Sequence, residues 1–165
     1  MATRIGKYDY YLSIAAEVAK RGTCLRRNYG AVIVKDDEII ATGYTGAPRG
    51  SLNCCDIGTC KRVELDIPSG QRYELCRSVH AEMNAIISAS RSDMRGANLF
   101  LFGWEMKDGQ FSSPIMLAEP CMLCKRVITN AGIMNVISYK NPDAKSDMER
   151  YSIQSPGLWV ASELI

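Results

Sequence analysis

The chain has a single histidine, His80, among 165 residues, and no apolar run near the length of about 20 residues that crosses a bilayer. A membrane-spanning helix is therefore not expected. It also lacks a charge excess: 20 basic against 18 acidic side chains leave a net charge of +2, without the field of a polyanion-binding surface. Aromatic residues make up only 8% and form no stripe interleaved with basic ones, which counts against nucleic acid as a partner and favours a small substrate. The N-terminal stretch is interrupted by Lys7, Asp9, Glu17 and Lys20 and has no apolar core of an export signal, so a cytoplasmic home is expected. No repeat, low-complexity tract or linker breaks the chain, and residues 1–165 read as one domain.

Cysteine, by contrast, is plentiful. Cys24, Cys54, Cys55, Cys60, Cys76, Cys121 and Cys124 would suggest disulfides in a secreted protein. Without an export signal, metal binding or free thiols are the readings to weigh.

Hydrophobic spacing predicts an amphipathic helix from Tyr8 to about Lys20, ended by Gly22. "GAVIVKDDEIIATGY" predicts a hairpin of two strands, Ala31–Val34 and Glu38–Thr42, around Lys35, Asp36 and Asp37. From Gly43 to about Cys76 the pattern is irregular, and a loop that long needs something to pin it. A second helix follows from His80 to about Ser90, then the strand "ANLFLFGW", a turn or short hairpin, a third helix from Cys121 to about Ala131 and the strand "NVISY". "GLWVASELI" is expected to close the core as a strand or helix. This order predicts an α/β class, a single-domain three-layer α/β/α sandwich around one mixed central sheet.

The chemistry-bearing residues sit at two helix starts. In "EPCMLCKRV", Pro120 precedes Cys121, a proline suited to a first turn, and Cys124 follows on the same helical face. Helix N-terminal amides favour the thiolate, the form that binds metal. A CxxC pair alone also fits a redox couple. His80 opens the preceding helix, and if two parallel helices bring their N-termini together, His80, Cys121 and Cys124 can share one ion. Three protein ligands leave a tetrahedral zinc with one open position, the mark of a catalytic site. Glu82 shares a helical face with Ala85, Ile86 and Ala89, so a carboxylate is turned toward the core. Such burial is costly unless the carboxylate has work to do as a proton carrier.

HAE at His80–Glu82 followed by PCMLC at Pro120–Cys124 is the H-x-E and P-C-x-x-C signature of zinc nucleobase deaminases. From about Tyr8 to Tyr139 the chain resembles the cytidine and deoxycytidylate deaminase superfamily. The resemblance implies a catalytic zinc on His80, Cys121 and Cys124. It implies that Glu82 takes a proton from the attacking water, passes it to the ring N3 and helps ammonia leave. Backbone groups around Ala81 and Glu119 would meet the pyrimidine edge.

"GYTGAPRG" at Gly43–Gly50 resembles the GYNGxPxG segment of deoxycytidylate deaminases, and "CLRRNYGAVIV" resembles their preceding strand. This implies hydrolysis of dCMP to dUMP and ammonia, a step toward thymidylate. A deaminase of another cytosine or guanine compound or of an RNA base is the alternative within the class, and a nonenzymatic zinc protein lies outside it. Thr45 stands where the family has the asparagine that helps hold the sugar, and the 103–114 segment is longer than the family's. Arg49 and Lys140 are candidate phosphate contacts. The resemblance further implies a second, structural zinc, for which Cys24, Cys54, Cys60 and Cys76 are the candidate ligands, reduced free thiols being the other reading. It also implies a pyrimidine nucleotide as ligand, a homo-oligomer, often a hexamer, and dCTP and dTTP as effectors.

Overall fold

Apolar residues four apart turn one side of α1 (Lys7–Ala19) inward, with Tyr11, Leu12, Ala15 and Ala19 buried. The computed structural model describes residues 4–163, and within them no helix is long and apolar enough to cross a membrane. The chain then folds back as β1 (Arg27–Lys35) and β2 (Glu38–Tyr44). Between them Asp36 and Asp37 both adopt positive φ, the left-handed conformation of a two-residue hairpin loop. The Tyr11 hydroxyl donates to Asp37 at 2.7 Å and ties the loop to α1.

The irregular segment that follows is punctuated by α2 (Cys54–Ile57), α3 (Lys61–Glu64) and a 3₁₀ turn at Tyr73–Leu75. Next come α4 (Ala81–Ile87), α5 (Arg91–Met94), β3 (Asn98–Lys107) and β4 (Gln110–Pro114). The helix expected to run from His80 to Ser90 stops at Ile87, because Ser90 caps α5 by accepting from the Asp93 N–H. The chain ends with α6 (Met122–Ala131), β5 (Asn135–Tyr139), α7 (Asp147–Arg150), β6 (Tyr151–Gln154) and α8 (Pro156–Ala161). The closing stretch "GLWVASELI" is helical as far as Ala161, in a helix that begins one residue before it at Pro156, while Leu164 and Ile165 lie outside the described residues. The short strand β6 has no counterpart in the hydrophobic pattern read from sequence.

The sheet order is β2-β1-β3-β5-β6, with β4 returning along β3. Among the described residues only β3 and β5 run parallel, in a register that sets Leu99 beside Val136 and Phe100 beside Ile137. The sheet is therefore mixed, and alternation along its strands builds two cores. Ala31, Ile33, Leu99, Leu101 and Val136 face α4, α6 and α8. Val32, Val34, Phe100, Phe102 and Ile137 face α1. This is the expected three-layer α/β/α arrangement.

Glycine sets the closeness of the layers at two points. A Cβ at Gly30 would lie 2.2 Å from the Ala15 carbonyl oxygen of α1. One at Gly43 would lie 2.2 Å from Ala85 N and 2.3 Å from the Ala81 carbonyl oxygen. The backbone of α4 thus rests directly on β2, and neither partner is a side chain that can swing aside. Gly43→Ala is expected to lower unfolding stability by about 2–3 kcal/mol, read from the denaturant midpoint, and to disturb the start of α4.

Candidate active site

Two helix starts meet at one end of the sheet. His80 is the N-cap of α4 and Cys121 the N-cap of α6, both in extended backbone conformation, and Cys124 lies in the first turn of α6. Pro120 therefore precedes the cap instead of occupying the first helical turn, because Cys121 itself takes the capping position. The Nδ1 of His80 lies 3.4 Å from Cys121 Sγ and 3.3 Å from Cys124 Sγ. Among the described residues this is the one group of three metal-ligating side chains whose donor atoms all lie within 4.8 Å of one another.

The donor set fits zinc. Tetrahedral zinc with Zn–S of about 2.3 Å and Zn–N of about 2.0 Å holds its nitrogen and sulfur ligands about 3.5 Å apart. The observed spacings match this. The Cys121 thiol is pulled down to about 4 by the hydrogen bond from Cys124, with His80 acting in the same direction against burial. Cys121 is thus pushed toward thiolate, the ligating form, while the same contact and burial push the Cys124 thiol up.

Glu82, in the first turn of α4, is 5% exposed. Burial pushes its carboxyl pKa up, with its own backbone N–H and the adjacent His80 opposing the shift. His80, Glu82, Glu119 and Cys121 all line one open cleft. Tyr73 closes one side, its ring meeting the His80 imidazole edge-on with centroids 5.0 Å apart.

The remaining expected site residues are distributed unevenly. Thr45 lines the cleft, but its hydroxyl accepts from the Tyr29 N–H at 3.0 Å and is buried in that contact. Glu119 lines it too and accepts from Gln154 Nε2 at 2.8 Å. Ala81 is fully buried in the core beneath, under the main chain of Gly43. Arg49 and Lys140 are exposed and are not among the lining residues. The cations that do line the cleft are Arg26, Arg27 and Arg62, none of which the sequence pattern singles out. Arg27 is held by Glu105 of β3 at 2.8 Å, so the 103–114 hairpin reaches the mouth through an ion pair.

Cys24, Cys60 and Cys76 also line the cleft, and Cys54 lies buried behind them. Burial raises the Cys54 thiol, and Cys24, Cys60 and Cys76 add to the shift, so the four sulfurs share one neighbourhood. No three of them approach as closely as the donors around His80.

Comparison with known proteins follows the same outline. A family model described as the cytidine and deoxycytidylate deaminase zinc-binding region matches residues 6–140. The deoxycytidylate deaminase of Mycobacterium phage D29 is 35% identical over 134 residues, covering 78% of this chain and 91% of the phage protein. That of Schizosaccharomyces pombe is 34% identical over 129 residues, covering 78% of this chain and 35% of the yeast protein. The chain thus spans about a third of that curated relative. Among solved structures, the dCMP deaminase of cyanophage S-TIM5 superposes with a TM-score of 0.56 at 24% identity, covering 83% of this chain and 85% of the other. The fold is therefore shared.

His80→Ala removes the only nitrogen donor from the triangle. The variant is expected to purify with less zinc at this site than the parent, while its folding stability, read by circular dichroism on metal-depleted samples of both, changes little.

Proposed function

The chain belongs to the cytidine and deoxycytidylate deaminase zinc-binding family, and from that premise we propose that it hydrolyses dCMP to dUMP and ammonia. The observation that carries this reading is the buried carboxylate of Glu82 beside the zinc-compatible triangle of His80, Cys121 and Cys124. A purely structural zinc site has no use for such a neighbour. The choice of dCMP is supported by the deoxycytidylate deaminases of mycobacteriophage and fission yeast, and by the cyanophage protein of the same fold, which is known in complex with dCMP and dUMP.

Zinc, when bound, supplies the Lewis acid that polarises the attacking water. The protein's own groups do the rest. The Glu82 carboxylate accepts a proton from the water as its oxygen bonds to C4 of the cytosine, and delivers that proton to ring N3. As the C4–N bond breaks, Glu82 takes the second proton from the new C4 hydroxyl, passes it to the departing amino group and returns to carboxylate, so that water and substrate yield dUMP and ammonia in balance. Burial of Glu82 keeps bulk water from competing for these protons. Ala81 and Glu119, flanking the triangle in sequence, are assigned to the pyrimidine edge, and Thr45 to the side of the cleft that takes the sugar.

The same reading carries a homo-oligomer, with hexamers and dCTP and dTTP effectors as its finer form. The exposed apolar residues Met122 and Leu123 on α6 support association. It also carries a second zinc on Cys24, Cys54, Cys60 and Cys76, supported by the shared neighbourhood of these thiols and by the need to anchor the long irregular segment.

Ammonia release from dCMP by the zinc-loaded protein tests the activity. Glu82→Gln is expected to retain zinc and lose about 10³-fold in kcat, within the range for a general acid and base. Near-normal turnover would remove Glu82 from the mechanism, and a parent protein inactive on dCMP would remove the substrate assignment. Metal analysis decides the second site: two zinc ions per chain, falling to one on Cys60→Ser, are expected, and one ion in the parent refutes it.

A further inference from the structure

Thr45 lines the cleft but has no uncommitted polar atom to offer it. Its N–H donates to the Tyr29 carbonyl at 3.0 Å, its own carbonyl accepts from the Thr23 N–H at 2.9 Å, and its hydroxyl accepts from the Tyr29 N–H at 3.0 Å. The residue that Thr45 grips in this way is itself part of the cleft wall. Tyr29 enters these bonds through its main chain alone, and among the described residues its phenol hydroxyl has no hydrogen-bond partner. A tyrosine set this far into a protein usually satisfies its O–H, so a free one in a cleft is an open place for a ligand.

The ring is fixed as firmly as the main chain. Tyr29 stands opposite Gly103 of β3, and a Cβ at Gly103 would lie 2.6 Å from the ring Cε1, so the ring rests on bare backbone there. It also packs against the core that seats α4 and α6. Burial raises the phenol pKa, with Arg27 opposing the shift and Glu82 and Glu105 adding to it. The hydroxyl is thus within electrostatic reach of both the buried Glu82 and the pair of Arg27 and Glu105 at the mouth. A nucleoside spans that stretch: a cytosine with C4 at the metal triangle and N3 at Glu82 turns N1, across the ring from C4, toward the mouth, and N1 carries the sugar.

We infer that Tyr29 is a specificity-determining residue of the cleft: its phenol hydroxyl hydrogen-bonds the 3′-hydroxyl of the nucleotide sugar, a contact for which Thr45 has no free atom. This rests on the deaminase reading of the same cleft. The 3′-hydroxyl is the one free alcohol on the sugar of a 2′-deoxyribonucleoside 5′-phosphate, and a phenol, which both donates and accepts, matches an alcohol. The pinned main chain and the seated ring hold the hydroxyl in place beforehand, which reduces the entropy lost on binding.

The test measures calorimetric binding of dUMP and of its 3′-deoxy analogue, 2′,3′-dideoxyuridine monophosphate, to the zinc-loaded parent and to Tyr29→Phe, which keeps the ring on Gly103 and removes only the hydroxyl. The parent is expected to bind dUMP about tenfold more tightly than the analogue, the worth of one neutral hydrogen bond. Tyr29→Phe is expected to weaken dUMP about tenfold and to leave the analogue within about twofold, so that the discrimination disappears. In turnover of dCMP the same variant is expected to raise KM about tenfold while kcat falls less than about threefold. A parent that does not distinguish the two ligands overturns the inference without any variant. So does a Tyr29→Phe that keeps the discrimination, or one that weakens both ligands equally, which would make Tyr29 a packing residue over Gly103. A parent whose discrimination depends on the Tyr29 hydroxyl but that releases no ammonia from dCMP keeps this inference and removes the dCMP reading. A parent active on dCMP whose discrimination survives Tyr29→Phe does the reverse.

Discussion

The parallel pairing of β3 with β5 is the constraint on which the site depends. Each strand is preceded by a helix on the same face of the sheet, α4 before β3 with the short α5 between, and α6 before β5. Because the two strands point the same way, the two helices run side by side and begin at the same end. That geometry turns residues 41 positions apart into neighbours: the N-cap of one helix is His80 and the N-cap of the other is Cys121. An antiparallel pairing at this point would send the two helix starts to opposite ends of the sheet.

Around this convergence the protein accommodates an unfavourable charge. Glu82 sits in the apolar layer between sheet and helices, where desolvation disfavours the carboxylate. The first turn of α4 offsets part of that cost through a backbone N–H, and the neighbouring imidazole adds a smaller share. The close seat of α4 on β2, made possible by Gly43, fixes the backbone from which this carboxylate projects. Stability and chemistry therefore draw on the same contact between helix and strand.

The elements with strong periodicity were legible in the sequence: α1, the β1–β2 hairpin, β3, α6 and β5 lie where their hydrophobic spacing puts them. So was the metal triangle, because the spacings of HAE and PCMLC carry it. The boundaries were less so, since a single serine, Ser90, decides where one helix stops and the next begins. The strand β6 has four residues, too few for alternation to register, and is defined by pairing with β5. Arg62 was invisible for a different reason. Its partners are main-chain carbonyls and a ring face, contacts that leave no trace in residue spacing. Thr45 illustrates the converse, since its position marks it for the cleft while only the fold shows its hydroxyl engaged by the Tyr29 backbone.

The walls of the cleft have different origins. His80, Glu82 and Cys121 stand on helices seated against the sheet, whereas Arg62, Ser69, Tyr73 and Cys76 come from an irregular segment whose short turns contribute little to the two cores. Insertions and deletions are far better tolerated in such a segment than in packed elements. Mutation can thus reshape this wall of the cleft while the helix starts that carry His80, Glu82 and Cys121 are left alone. A lineage built on this scaffold can change what its cleft admits without disturbing the two helix starts on which the cleft is built.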